Sequence, residues 1–147
     1  MKRERAVLVV DDDESDLLFL QRAFREVQIS NPVRTASDGQ EAIDYLSGSG
    51  KFADRAQYEL PRLMILDLKM PRVTGLEVLR WLRAQSDLIR LPVIVFSSSA
   101  YPADVIEAYQ NGANAFVTKP SGTAPRAELA RMIKDFWLTL NEPPYLP

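Results

Sequence analysis

Four groups of polar residues in the sequence occupy the same kind of position, because each directly follows a short, continuous apolar run. Together they offer carboxylates, hydroxyls and an ammonium group, which is the set of groups that metal-assisted phosphoryl chemistry uses. The groups are Asp11, Asp12 and Asp13 after residues 6–10, Asp67 after residues 63–66, Ser97, Ser98 and Ser99 after residues 92–96, and Lys119 after residues 115–118. Any one of them alone would ordinarily be a helix cap or a surface residue, so their joint occurrence is what indicates a site.

The acidic members of this set need a positive partner. Two carboxylates about 4 Å apart repel each other by roughly 4 kcal/mol at an effective dielectric constant near 20. Asp67 also interrupts the apolar stretch LMILDLKM, where an unpaired buried carboxylate would be costly. Oxygen ligands suit a hard cation, Mg²⁺ above all, and Lys119 adds a second positive charge. The residues therefore predict a magnesium site at which a carboxylate accepts a phosphoryl group.

The composition excludes several other kinds of site. The 147-residue chain has no cysteine and no histidine, which rules out thiol nucleophiles, Ser-His-Asp triads and histidine metal ligands. Lys and Arg number 18 against 20 Asp and Glu, a balance that does not favour nucleic acid as a partner. The apolar runs are too short for a signal peptide or a membrane span, so we expect a cytoplasmic protein with no membrane partner.

Strand-like runs alternate with segments of helical periodicity along the chain, and they would position the polar groups. The predicted strands are residues 6–10, 33–36, 63–66, 92–96 and 115–118, and the predicted helices are residues 15–28, 40–46, 74–84, 103–111 and 127–140. Ser15 or Asp16 is the expected cap of the first helix. Strict alternation predicts a single α/β domain with a parallel sheet covered on both faces. The carboxyl ends of its strands form one edge, where such proteins place their sites.

Two segments fall outside this alternation. Residues 47–61 form a long connection, for which a functional loop and a tolerated surface insertion are equally open interpretations. Residues 141–147 form a proline-rich tail that cannot be helical. The tail and the helix before it carry much apolar surface, which would be covered either by the same domain or by a second copy of the chain.

The four motifs, taken in order, resemble the receiver domains of two-component response regulators. The acidic pair lies in LVVDDD, the acceptor in LMILDLKMPRVTG, the hydroxyl in PVIVFSSS and the lysine in GANAFVTKP, and the resemblance covers residues 5–140. It implies a doubly wound, flavodoxin-like sheet of five parallel strands in the order 2-1-3-4-5, with helices on both faces. Residues 1–147 would then be one receiver domain ending in the tail, with no output domain.

The resemblance also implies a role for each site residue. Asp67 would be the phospho-acceptor that attacks a phosphohistidine of a sensor histidine kinase. Mg²⁺ would be held by Asp12, Asp67 and the backbone carbonyl of Lys69, with Asp11 acting through a metal-bound water. Asp13 stands where the family has a variable polar residue and is left out of this set.

Three further residues would read the phosphorylated state. Ser97 would hydrogen-bond the phosphoryl group, and Lys119 would pair with it. Ser97 and Phe116 would be the two switch residues, with Phe116 at the aromatic position of the switch. Because Phe116 has no hydroxyl, it would report the phosphorylated state by packing alone. The Lys119–Pro120 bond is commonly cis in the family.

The resemblance extends to partners. The long connection and the aromatic, proline-rich end resemble the single-domain regulators that work with phytochrome-type histidine kinases. Such relatives tend to form homodimers through the fourth helix, the fifth strand and the fifth helix, and here the tail would join that interface. The expected function is phosphorylation-dependent protein contact, with at most slow self-dephosphorylation and no other enzymatic activity.

Two alternatives from other classes stay open on the sequence. Asp11 and Asp13 after an apolar strand resemble the first motif of haloacid-dehalogenase-type phosphatases, in which Asp11 would be the nucleophile and Asp13 the acid. That alternative gives Asp67 no role, and no acidic pair follows Lys119 at a further strand end. The other alternative is an interaction module that has lost phosphorylation, although the acceptor set is complete.

Overall fold

The computed structural model of the protein describes residues 4–120 and 123–146. Within these residues, five strands alternate with five α-helices, a short 3₁₀ helix spans Gly50–Phe52, and the last α-helix continues as a π-helix. The strands are β1 (Val7–Val10), β2 (Val33–Ala36), β3 (Leu63–Leu66), β4 (Val93–Ser97) and β5 (Ala115–Thr118). The helices are α1 (Glu14–Glu26), α2 (Gly39–Ser47), α3 (Gly75–Ala84), α4 (Pro102–Gln110) and α5 (Thr123–Met132), followed by the π-helix Ile133–Leu140.

The strands form one parallel sheet in the order β2-β1-β3-β4-β5. Every residue of β1, β3 and β4 is buried, because helices cover both faces of the sheet and leave no polar side to these strands. The predicted fold class and the predicted strand order are both confirmed.

Alternation along the strands divides the apolar side chains between two cores. On β1, Leu8 and Val10 join the core that contains α2 and α3, whereas Val7 and Val9 join the core that contains α1 and α5. The same alternation holds along β3 and β4. The sheet is therefore fixed from both sides, and its carboxyl edge presents the residues that follow each strand.

The cap of α1 differs from the predicted one. The carboxylate of Asp13 accepts hydrogen bonds from the backbone amides of Ser15 and Asp16 at 2.9 and 3.3 Å. The expectation that Ser15 or Asp16 caps this helix is wrong, because Asp13 already satisfies the first free amides. Asp16 is left available for another contact.

The connection at residues 47–61 packs against the domain. Phe52 is buried, and its ring lies 5.1 Å from the rings of both Tyr45 and Tyr58. The Arg55 guanidinium donates to the backbone carbonyls of Tyr45, Leu46 and Tyr58 over 2.6 to 2.8 Å. This segment is therefore anchored to the core by aromatic and hydrogen-bond contacts.

The C-terminal end of the chain folds back against the amino end of β3. Arg62, the residue before β3, donates to the carbonyl oxygens of Trp137 and Asn141 at 3.3 and 3.0 Å. Leu146 packs against the core formed with α2 and α3. Leu140 and Tyr145 are 73% and 84% exposed, so the domain covers part of the apolar surface at this end and leaves the rest open.

The Lys119–Pro120 bond is trans, unlike the cis form that the resemblance implies. Trans is the more stable form of X–Pro bonds by about 0.5–1 kcal/mol.

Within residues 4–120 and 123–146, we find no helix with the length and apolar character needed to cross a bilayer.

Candidate functional site

Three carboxylates meet at the carboxyl edge of the sheet. Asp11, Asp12 and Asp67 each place an oxygen within 4.8 Å of the others. Asp11 and Asp67 are only 3% and 5% exposed, whereas Asp12 is open to solvent. The backbone holds them in place, since the Asp67 amide donates to Val10 O at 2.9 Å. The residues that follow β1 and β3 thus form one acidic cluster, as the sequence predicts.

Lys119 lies against this cluster from the end of β5. Its ammonium nitrogen, Nζ, is 2.7 Å from Asp11 Oδ2 and 3.7 Å from Asp67 Oδ2. A third carboxylate oxygen, Asp16 Oδ2, lies 2.9 Å from the same nitrogen. The lysine side chain is 14% exposed, so these ion pairs are largely shielded from solvent.

Burial and mutual repulsion raise the pKa of the buried acids. Burial, followed by the charge of Asp11, raises the pKa of Asp67 to about 7, although Lys119 opposes the shift. Burial likewise raises the pKa of Asp11, against the hydrogen bond from Lys119. Burial alone would lower the pKa of Lys119, but its hydrogen bonds to Asp11 and Asp16 outweigh burial and raise it. The Lys119 side chain therefore stays protonated. Its single positive charge does not offset the effect of burial on the pKa values of Asp11 and Asp67.

The donor chemistry of the cluster fits a hard divalent cation such as Mg²⁺. All three side chains offer carboxylate oxygens, and one of them, Asp12, faces solvent, from which a metal-bound water would come. The backbone amide of Lys69 faces the Asp67 carboxylate, with N and Oδ1 3.4 Å apart. Asp12, Asp67 and the Lys69 carbonyl, with Asp11 through water, remain the predicted ligand set.

Gly75 allows the acceptor loop to fold tightly against α3. A Cβ atom at this position would lie 2.7 Å from Leu68 Cα and would also collide with the backbone carbonyl of Asp67. The amide of Gly75 donates to Leu68 O at 3.1 Å. The glycine that ends the motif LMILDLKMPRVTG is therefore needed for close backbone approach beside the acceptor.

The two predicted switch residues lie on the neighbouring strands. Ser97 ends β4 and is fully buried, and its hydroxyl accepts a hydrogen bond of 3.3 Å from the amide of Ser99. Among the hydrogen bonds of the described residues, none links the Ser97 hydroxyl to Asp67 or Lys119. Phe116 is half-buried on β5, opposite Val95. The structure thus places Ser97 at the carboxyl end of β4 without a hydrogen bond to Asp67 or Lys119, and Phe116 within β5, packed against the core that contains α2 and α3.

Two aspartates near the cluster have contacts that separate their roles. Asp13 is occupied as the cap of α1, which agrees with leaving it out of the metal ligands. Asp16 contacts Lys119 directly and was not predicted as a site residue. No local pattern in the sequence indicates this contact, because its partner lies 103 residues away.

A doubly wound sheet with an acidic cluster and a lysine at its carboxyl edge defines the receiver class of signalling domain. The sequence profile described as "Response regulator receiver domain" matches residues 7–134. The chain therefore belongs to the response regulator receiver domain family. Receiver domains typically bind Mg²⁺ through an acidic pocket of this kind.

Relatives support this assignment over nearly the whole chain. The probable methanogenesis regulatory protein FilR2 of Methanothrix harundinacea is 31% identical over 94% of this chain and 86% of its own length. The phosphorylated cyanobacterial phytochrome response regulator RcpA superposes with a TM-score of 0.88 at 30% identity, covering 97% of this chain and 99% of that one. The response regulator RPA3017, described in red light signalling of R. palustris, gives 0.90 at 37% identity, with 96% and 99% covered.

Proposed function

We propose that the protein is a single-domain response regulator whose Asp67 accepts a phosphoryl group from a phosphohistidine of a sensor histidine kinase. The observation that carries this proposal is the position of Asp67, which is buried at the end of β3 beside Asp11 and 3.7 Å from the Lys119 ammonium. Of the three clustered acids, Asp67 alone follows the central strand β3, and its carboxylate has a pKa raised to about 7 by burial and by Asp11.

In the transfer step, a carboxylate oxygen of Asp67 attacks the phosphorus, the P–N bond breaks, and the electron pair returns to the imidazole, which takes a proton from solvent. Asp67 must be ionised to attack, and positive charge nearby favours that form. Asp12, Asp67 and the Lys69 carbonyl, with Asp11 through water, would hold Mg²⁺, which would neutralise charge on the phosphoryl oxygens. Lys119 provides a further positive contact, and Ser97 would donate its hydroxyl to the phosphoryl group.

The output would be a change of surface rather than the turnover of a substrate. Ser97 and Phe116 lie on adjacent strands next to α4, so a shift of the hydroxyl toward a phosphoryl group would leave space for repacking of the Phe116 ring. We propose only slow self-dephosphorylation and no other enzymatic activity. The cytoplasmic location stays a prediction from the sequence.

A phytochrome-type histidine kinase is the partner that the relatives favour. RcpA is named as a phytochrome response regulator and RPA3017 is placed in red light signalling, and both cover almost the whole chain. FilR2 is named for methanogenesis, so the receiver fold alone does not select the kinase. The rate of phosphotransfer from a phytochrome-type kinase, compared with that from a kinase of another sensor class, tests this choice.

A homodimer through α4, β5, α5 and the tail is the proposed assembly. Exposed apolar side chains on or next to α4, at the end of α5, on the π-helix and in the tail support it. They are Tyr101, Ile106, Tyr109, Met132, Phe136, Leu140 and Tyr145. An exposed apolar set of this kind on a small domain marks a contact surface, and a twofold arrangement would bury it reciprocally.

The phosphatase alternative finds less support in the contacts. It requires Asp13 as a general acid, but the Asp13 carboxylate already accepts two backbone amides at the start of α1. It also requires Asp11 as the nucleophile, although Asp11 is held at 2.7 Å by the lysine. Localising the phosphoryl group to Asp67 or to Asp11 separates the two functions.

Incubation with acetyl phosphate and Mg²⁺, followed by intact mass measurement, tests the acceptor. We expect the wild-type protein to gain one phosphoryl group, and Asp67→Asn to gain none while it keeps its fold. Asp12→Asn should label slowly through weakened metal binding, and Asp87→Asn, which removes an exposed carboxylate outside the acidic cluster, should label normally. Unchanged labelling of Asp67→Asn would remove the proposal.

A further inference from the structure

Asp16 forms a contact with the site that none of the predicted roles uses. It lies on the first turn of α1, and its Oδ2 atom is 2.9 Å from Lys119 Nζ. Its side chain is 27% exposed, against 14% for the lysine. It does not belong to the cluster of three carboxylates that could hold a metal. The contact is therefore a partly shielded ion pair between α1 and the end of β5.

This ion pair draws the ammonium away from the acceptor. An ammonium group has three N–H bonds to donate. Asp11 and Asp16 take hydrogen bonds of 2.7 and 2.9 Å, whereas the 3.7 Å separation from Asp67 Oδ2 is too long for one. A third N–H bond stays available, but a phosphoryl group on Asp67 would have to draw the ammonium from the position in which Asp11 and Asp16 hold it.

A cation bound at the acidic cluster would affect the ion pairs of Asp11 and Asp16 with Lys119 differently. Asp11 belongs to the cluster, so a cation bound there would share its charge and weaken its hold on the lysine. Asp16 lies outside the cluster and would not share its charge with the metal. Asp16 is therefore the carboxylate that would continue to hold the lysine with the metal site filled.

We propose that Asp16 is a positioning residue that restrains Lys119 on the α1 side of the cleft and so lowers the affinity of the site for a phosphoryl group on Asp67. This inference rests on the proposed function of Asp67 as acceptor. The restraint sets how easily the resting protein passes to the phosphorylated form. Asp16 acts through the lysine, since no hydrogen bond among the described residues joins its side chain to Asp67.

Beryllofluoride, a stable phosphoryl analogue, provides the test in the full-length protein at saturating Mg²⁺. We expect Asp16→Asn to bind it about threefold to fivefold more tightly than wild type, as the loss of one partly exposed ion pair allows. Asp16→Glu keeps the charge and should stay near wild type. Glu14→Gln is the matched control, since it removes an exposed carboxylate from the same turn of α1.

Repeating the comparison in a Lys119→Met background separates restraint from general repulsion. If Asp16 acts through the lysine, Asp16→Asn should have no effect there. An unchanged or weaker affinity for Asp16→Asn, or an equal gain without the lysine or in Glu14→Gln, would overturn the inference. Failure of the wild type itself to bind beryllofluoride and to label on Asp67 would instead overturn the proposed function.

Discussion

The backbone amide of Lys119 donates a hydrogen bond of 2.7 Å to the carbonyl oxygen of Ser97. This bond continues the pairing of β4 with β5 by one residue beyond the register Ser97 to Thr118. The hydroxyl and the ammonium that would contact a phosphoryl group are therefore carried by one hydrogen-bonded unit. We therefore expect a movement of one strand end to displace the other.

Phosphorylation should change this unit and the surface beside it. We expect beryllofluoride to alter amide hydrogen exchange over residues 101–119, as Ser97 moves and Phe116 repacks, because contacts that differ between the two states shift their populations. Ser97→Ala should reduce the response while leaving Mg²⁺ binding intact. A response limited to the acidic cluster would contradict the coupling.

Lys119→Ala should separate metal binding from phosphoryl binding. The predicted ligands are oxygens of other residues, so we expect Mg²⁺ affinity to be unchanged or higher after a positive charge leaves the acidic cluster. Affinity for beryllofluoride should fall by about tenfold or more, the effect of losing one charge-assisted hydrogen bond. Calorimetric titrations measure both, with the exposed Lys51→Ala as control. A large fall in Mg²⁺ affinity would show that the lysine also organises the metal site.

Asp67 should make metal-free stability depend on pH. Burial and the charge of Asp11 raise its pKa from 3.8 to about 7, so within this window the folded protein binds a proton that the unfolded chain does not. The free energy of unfolding should therefore fall as pH rises through the window. As pH rises from about 4 to about 7, the free energy of unfolding of Asp67→Asn should therefore gain on that of the wild type by up to about 4 kcal/mol, at about 1.36 kcal/mol for each unit of pKa change. Urea unfolding in a chelating buffer measures this, and parallel pH curves would contradict it.

Gly75→Ala should distort the acceptor loop. A Cβ atom there meets backbone atoms of Asp67 and Leu68, which cannot move aside as a flexible side chain would. We expect a loss of about 2–3 kcal/mol of stability, together with weaker Mg²⁺ binding. The comparison is Gly50→Ala, where a Cβ meets nothing within 4 Å and only the positive φ of 57° opposes it, at about 1 kcal/mol. Equal effects of the two substitutions would show that close approach at residue 75 is unimportant.

Removal of the tail, residues 141–147, should weaken the proposed homodimer but leave Asp67 labelling nearly unchanged. The tail lies beyond the amino ends of the strands, where Asn141 is bound by Arg62, and the acceptor lies at their carboxyl ends. Sedimentation velocity at tens of micromolar, a rough range for a weak dimer, measures association. A monomer both with and without the tail would contradict the dimer.

The strands and the acidic cluster could be predicted because both depend on local sequence patterns. The runs at residues 7–10 and 63–66 are apolar throughout, which is typical of strands buried on two faces. Parallel strands end at a common edge, so Asp11 and Asp67 could be placed together without knowledge of any side-chain contact.

Other features depend on tertiary contacts, or on which of several suitable residues takes a local role such as a helix cap. Several polar residues at the start of α1 could have capped it, and only the backbone geometry selects Asp13. The last helix begins at Thr123 rather than residue 127, because Pro125 is tolerated within a first turn. The ion pair of Asp16 with Lys119 joins residues that only the assembled sheet brings together.

The position of the tail also makes the molecule suitable for site-specific attachment. Arg62, which binds the tail, and Asp67 lie at opposite ends of β3, and five steps of about 3.3 Å separate them by about 16 Å. The tail and the phospho-acceptor therefore lie at opposite ends of the domain, and the chain has no native cysteine that would react with a thiol reagent. A cysteine introduced at the exposed Glu142 would carry a fluorophore or a surface tether at the tail end. Encounters of the kinase with the acceptor end could then be followed one molecule at a time.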